Sequence, residues 1–346
     1  MRALAALVAV TVALPLHASA PSKQLKVLPP PHGIYHAAFP DFCPEEDCVS
    51  TARVRSFERL AGKRIAWAYF SDNWFHGIHF PAADVRAIWS VHHVVPFIRM
   101  MPRANWSEGC SDKTYSLDKI VAGQFDDQLR AYARAAAAQP IPLMIEFGTE
   151  VNGNWFPWSG ACNGGAHGGP ARFRDAYRHI VSIFRAAGAR NVTWVLHLDA
   201  QGAPSASWNR MAAYYPGGSW VDWVGLSAYG PQQPGDPWDS FHSVFAPAYA
   251  ELAAAAPRKP IALLEFGAIE EAGHDKAAWI AAALHDVASG RYPRLKAESY
   301  WSSNWTNDGG GPSIMRIDSS PAVLSAYRTA VAAPVFVSKP LLSRSG

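Results

Sequence analysis

Short apolar segments alternate with amphipathic helical segments along most of the chain, and this alternation restricts the fold more than any other feature. The strand-like runs fall at 33–39, 64–70, 93–99, 141–147, 192–198, 222–229, 261–266 and 297–302. Most are brief and rich in Val, Ile and aromatic side chains, as strands buried on both faces must be. Between them the period becomes helical. Across 116–137, Leu117, Ile120, Val121, Phe125, Leu129 and Tyr132 share one face. Across 171–187, Phe173, Ala176, Tyr177, Ile180, Val181 and Phe184 do the same, between Pro170 and Gly188. Weaker helical patterns lie at 51–61, 82–90, 207–215, 240–256, 275–289 and 321–332. Eight βα units predict an α/β fold, a closed (β/α)8 TIM barrel forming a single catalytic domain. An open doubly wound sheet is the alternative, and it lacks a glycine-rich nucleotide turn here. Residues 335–346 read as a frayed tail, with Val335-Phe336-Val337 able to dock on the barrel.

The N-terminus has a different character. Arg2, the apolar run 3–16 and His17-Ala18-Ser19-Ala20 form the pattern of a secretory signal peptide over residues 1–20. The run is shorter than the roughly 20 apolar residues that cross a membrane. The barrel is then assigned to 21–346, and the protein is expected to be secreted or periplasmic, monomeric and without a membrane partner. A net charge of +3 without a dense Lys/Arg run argues against nucleic acid as a partner. Four cysteines in an exported chain imply two disulfides. Of the three possible pairings, Cys43–Cys48 with Cys110–Cys162 is favoured, because it closes one short loop and joins two long ones. No His/Cys spacing suits a metal, and no cofactor is implied. His76, His79, His92 and His93 read as ordinary polar residues. The 14 tryptophans are either core filling or flat surfaces for stacking on sugar C–H faces.

Barrel chemistry sits at the C-terminal ends of the strands. The fourth strand runs into Gly148-Thr149-Glu150, and the seventh ends in Leu264-Glu265-Phe266. Glycoside hydrolysis needs two such carboxyl groups, one to protonate the leaving oxygen and one to attack the anomeric carbon. A glutamate inside an apolar strand is costly without a task or a partner. Asn152, Trp155 and Trp158 follow Glu150 and suit a sugar subsite, with rings to stack and an amide for hydroxyls; a well-packed aromatic loop is the alternative. Trp74 and Trp305, beyond the second and eighth strands, are read as further stacking residues, and Asp72, Arg103 and Trp106 as neighbours at the same mouth. Glu146 has the parity of Glu150 and should point inward, deeper in the barrel, where Arg99 is its natural partner. Glu146 is also the rival acid/base. Asn105, Asn191 and Asn304 sit in N-glycosylation acceptor patterns.

The segment Glu150-Val-Asn-Gly-Asn-Trp-Phe-Pro-Trp158 resembles the Glu-Met-Asn-Gly-x-Trp-x-x-Trp signature of glycoside hydrolase family 26. That family is best known for secreted β-mannanases of clan A. Lys259-Pro-Ile-Ala-Leu-Leu-Glu265-Phe-Gly resembles its strand-seven nucleophile segment. The resemblance implies retaining double displacement on a polysaccharide, with Glu150 as acid/base and Glu265 as nucleophile. It also implies that Tyr229 hydrogen-bonds Glu265 and that Trp301 floors the cleaved sugar's subsite. His197, at the end of the fifth strand, is assigned to the sugar or to a catalytic carboxylate, a structural role being the alternative. The chain departs from the mannanase pattern at Thr149, where His is usual, at Glu146, where Arg is usual, and at Phe147, where Pro is usual. The reading is therefore an endo-β-1,4-mannanase-like hydrolase. A β-glucanase, xylanase or exopolysaccharide hydrolase, or a polysaccharide-binding barrel without catalysis, stands as the alternative.

Overall fold

The computed structural model describes residues 25–43, 46–106, 109–306 and 311–343. The segment read as a signal peptide lies outside the described residues. Eight parallel strands close into a barrel: β1 (Ile34–Phe39), β2 (Trp67–Asn73), β3 (Val95–Met101), β4 (Leu143–Phe147), β5 (Val192–Asp199), β6 (Trp223–Ser227), β7 (Ile261–Phe266) and β8 (Leu295–Trp301). Closure comes from β8 returning to β1, in register from Tyr35↔Ala297 to Phe39↔Trp301. The outer ring contains α1 (Thr51–Ala61), α2 (Ala82–Ser90), α3 (Leu117–Val121), α4 (Asp126–Ala137), α5 (Gly169–Ala186), α6 (Met211–Tyr214), α7 (Phe241–Ala255), α8 (Lys276–Ala288) and α9 (Pro321–Val331).

The helical periodicity translates directly in α5, where Phe173, Ala176, Tyr177, Ile180, Val181 and Phe184 are all buried. It fails across 116–137. Gly123 adopts φ +77° there, which splits the segment into α3 and α4 and leaves Val121 exposed. The second strand begins and ends three residues later than its apolar run indicates, because Ser71 and Asn73 continue the inward alternation as polar residues.

The described part of the tail, 335–343, completes the wall. Phe336–Val337 pairs in parallel with Ile34 and Tyr35 along one edge of β1, and farther along that edge β1 meets β2 at Ala38↔Ala68. Leu341–Leu342 pairs with Val27–Leu28. The interior at this end is aromatic: Tyr35, Trp67, Phe97 and Trp223 meet at ring separations of 5.9–6.4 Å. Trp223 donates to Val27 O and Tyr35 to Leu28 O.

Candidate active site

At the opposite end of the barrel the strands open into a cleft of about 1050 Å³. Glu265 reaches it through an irregularity in β7. Leu226 pairs with Leu263 but Ser227 pairs with Glu265, so Leu264 is a bulge residue. Leu264 packs over Gly225, where a Cβ would come within 2.5 Å of its side chain. The extra residue lets Glu265 turn toward Tyr229 and Arg99. Tyr229 Oη donates to Glu265 Oε2 at 2.8 Å, and Arg99 Nη2 lies 3.4 Å from Oε1. Glu265 is 4% exposed, and burial pushes its carboxyl up to about 7; Arg99 opposes that rise and Glu150 adds to it.

Glu150 is set by a strained turn. Gly148 has φ +68° and Glu150 itself φ +48°, a left-handed conformation unusual for a glutamate. The turn is pinned by Trp158 Nε1 donating to Thr149 O at 2.7 Å and by Gly153 N donating to Glu150 O at 2.8 Å. Trp155 Nε1 donates to Glu150 Oε2 at 2.8 Å. Two disulfides brace this end of the barrel, and they are the favoured pairing: Cys43–Cys48, and Cys110–Cys162, which joins the loops after β3 and β4.

Beneath the two glutamates lies a charged layer. Glu146 is fully buried, accepts from Tyr69 Oη, and lies 3.0 Å from His197 Nδ1. His197 Nε2 meets Ser227 Oγ at 2.8 Å, and its Nδ1 is also 2.8 Å from Thr149 Oγ1. Burial works against the charged imidazole of His197, but Glu146, by charge and hydrogen bond, together with Glu265 and Glu150 holds its pKa above the usual value. The anticipated Arg99–Glu146 pair forms at 3.7 Å, although Arg99 binds Glu46 more tightly, at 2.7 Å.

Arg99, Glu150, Trp155, Tyr229, Glu265, Trp301 and Trp305 all line the cleft. Four of the anticipated sugar contacts do not. Trp74 is fully buried against Tyr115 and Phe147, because the longer β2 carries it past the mouth into a 3-10 turn. The same shift turns Asp72 outward to Tyr132 Oη at 2.8 Å. Trp158 is 1% exposed and stacks on Phe156. Asn152 spends its amide on the backbone of Asp199, accepting from Asp199 N at 2.7 Å and donating to Asp199 O at 2.8 Å. His197 is buried in the charged layer rather than at the surface of the cleft. Asn191 is unsuited to glycosylation, since its amide is buried and donates to Ala136, Gln139 and Ile141 carbonyls.

Sequence reasoning missed Glu46 and Asp199, both of which line the cleft. Asp199 follows His197 at the strand period of two, a signal that was there to use. Burial, and then the charge of Glu150, push its carboxyl well above the ordinary range. Glu46 belongs to an irregular loop and carries no periodic signal.

Residues 111–286 match the family model described as Glycosyl hydrolase family 26. The chain belongs to that family and is a glycoside hydrolase. It is 29% identical over 288 residues to Endoglucanase H of Acetivibrio thermocellus, covering 82% of this chain and 29% of that much longer protein. Among solved structures, the GH26 endo-β-1,4-mannanase catalytic domain of Bacillus sp. JAMB-750 aligns with TM-score 0.64 and 16% identity, over 88% of this chain and 87% of that one. The modular endo-β-1,4-mannanase of Cellulomonas fimi aligns with TM-score 0.61 and 19% identity, over 88% and 72% of the two chains. These likenesses establish the shared (β/α)8 fold.

Proposed function

We propose that this protein is an exported, retaining, endo-acting β-glycanase with Glu265 as nucleophile, Glu150 as general acid/base and β-1,4-mannan as its first-choice substrate. The observation that carries this reading is the pair of carboxylates from the ends of β4 and β7, each lining one cleft and each held by a single aromatic donor. Tyr229 fixes one oxygen of Glu265 and leaves Oε1 for attack. Oε1 would bond to the anomeric carbon as the bond to the leaving sugar breaks, while Glu150 gives its proton to the departing oxygen. In the second half Glu150 takes a proton from water, the water oxygen bonds to the anomeric carbon, and the ester to Glu265 is released. Trp301, stacked on Phe39 at 4.1 Å, offers a rigid floor for the reacting sugar, and Trp155 and Trp305 offer further stacking faces.

The mannan reading is supported by the solved family members with this fold, named as endo-β-1,4-mannanases. A mixed-linkage or β-1,4-glucan is the second reading. It is favoured by the relative named an endoglucanase and by Thr149, which stands where the mannanase pattern has His. The export reading is supported by the signal-peptide pattern over 1–20 and by the two disulfides. The test is reducing-end release by the mature protein on mannan, glucomannan, mixed-linkage glucan, xylan and bacterial exopolysaccharides, beside Glu265→Gln, with viscosity followed in parallel. Rapid viscosity loss on one polymer, absent in the variant, is the expected result. Binding without cleavage on every polymer would overturn the catalytic reading.

A further inference from the structure

Arg99 forms ion pairs with three carboxylates, yet it donates a hydrogen bond to only one of them, Glu46, among the described residues. Its Nη1 donates to Glu46 Oε2 at 2.7 Å and to Ser71 Oγ at 3.1 Å. Glu265 Oε1 stands off at 3.4 Å from Nη2, and Glu146 Oε1 at 3.7 Å from Nε. Neither Arg99 Nε nor Glu265 Oε1 makes a hydrogen bond among the described residues. A guanidinium and a carboxylate this close in a buried site ordinarily close to about 2.8 Å, so something restrains the arginine.

Glu46 is built to do that. Its own backbone is left-handed at φ +62°, inside the ring closed by Cys43–Cys48. Its carbonyl accepts from Ser71 N at 3.1 Å, and Ser71 Oγ donates to its Oε2 at 2.8 Å. The next residue, Asp47, accepts from Asn73 Nδ2 at 2.5 Å, which ties the loop to β2 a second time. Arg99 is further sandwiched between Tyr69 and Trp301, at 5.2 and 5.0 Å from the ring centroids.

We propose that Glu46 is a positioning residue that holds Arg99 one hydrogen bond short of Glu265, so that Glu265 Oε1 feels the positive charge without being tied by it. An ion pair closed on Oε1 would lower the energy of the ground-state carboxylate and would have to break before attack. A guanidinium kept back still favours the ionised form electrostatically. This inference rests on the nucleophile reading above. The groups that face Glu265 are Arg99 from β3, Glu146 and Glu150 from and beyond β4, His197 and Asp199 from β5, Tyr229 after β6 and Tyr69 from β2. Removing the Glu46 charge has one sign for Glu265. A nearby negative charge disappears and the arginine is free to approach, and both lower its pKa.

The experiment is titration of Glu265 by NMR of carboxyl-labelled glutamate in wild type, Glu46→Gln and Glu46→Ala, with Glu265→Gln assigning the signal. The same variants are assayed for kcat and KM on the polymer cleaved by wild type. The expected result is a Glu265 titration moved to lower pH, with kcat down at least tenfold and KM within twofold. Glu46→Gln keeps the shape of the side chain, so it still tests the idea if Glu46→Ala does not fold. A titration that stays in place or moves to higher pH would overturn the inference, because a merely loosened loop lets Arg99 drift away. The nucleophile reading is checked separately, by trapping wild type with 2,4-dinitrophenyl 2-deoxy-2-fluoro glycosides of mannobiose and cellobiose. A label on a residue other than Glu265 would sink that reading even where the titration moves as expected.

Discussion

The two ends of the barrel interior are filled in opposite ways. At the closed end, Tyr35, Trp67, Phe97 and Trp223 interlock edge to face or tilted, and the hydrogen bonds of Trp223 and Tyr35 run to backbone groups of Val27, Leu28 and Leu341. At the open end, Tyr69 and Arg99, two residues beyond Trp67 and Phe97 on the same strands, join Glu146 of β4 and His197 of β5. The first arrangement gains from removing apolar surface from water. The second spends some of that gain on burying charges that must be paired to be tolerated. One barrel can hold both layers because the aromatic layer stabilises the strands on which the charged layer is mounted.

Three substitutions, with four expected outcomes, sharpen this contrast, and the largest effect is expected at the open end. Glu265→Gln should lower kcat on the cleaved polymer by roughly three orders of magnitude or more, with the closed end undisturbed in its near-ultraviolet circular dichroism. Trp67→Ala should do the reverse. Loss of a fully buried tryptophan costs about 3–5 kcal/mol in urea unfolding, while the specific activity of the folded fraction stays within twofold. If Trp67→Ala abolished activity in folded protein, the two layers would not be separable.

The third outcome concerns the cost of the charged layer itself. Glu265 has its pKa raised from 4.5 to about 7 in the folded protein. Above pH 7 it is ionised in both folded and unfolded states, and burial then penalises the folded one. Glu265→Gln should therefore stabilise the protein above pH 7, by up to about 3 kcal/mol, with the gain fading as pH falls toward 4.5. Melting temperatures at pH 5 and 8 decide it, and an equal effect at both would show that ionisation is not the cause. The smallest effect is expected at the lip. Trp305→Ala should raise KM several-fold, about 1 kcal/mol of lost stacking, and leave kcat and melting temperature nearly unchanged.

The eight strands were legible in order because parallel strands buried on both faces are nearly continuous apolar runs. Their ends were less so at both ends of the barrel, and the displacement that mattered for the site lies at the open end. β2 continues through Ser71 and Asn73, polar residues that face the charged layer, and an apolar pattern stops before them. That shift alone misplaced Trp74 and Asp72. The bulge at Leu264 was also invisible, since it depends on Gly225 across the strand pair. Glu150 and Glu265 could be picked out because each interrupts or ends an apolar strand. Glu46 could not, because its place is fixed by a loop, a disulfide and two β2 residues far away in sequence. Asn152 and Trp158 were placed beside Glu150 correctly along the chain but on the wrong side of the turn, where they hold the backbone instead of facing the cleft.

The slot that Phe336–Val337 occupies beside β1 bears on biosynthesis. Domains often begin folding as the chain leaves the ribosome, the N-terminal part first. Here β1 emerges early, yet the edge formed by Ile34 and Tyr35 has its partner only when residues near 336 have been made. Until then that stretch of sheet edge is bare and open to mispairing. A nascent chain of this protein thus has reason to stay loosely assembled until the segment that fills this slot is complete.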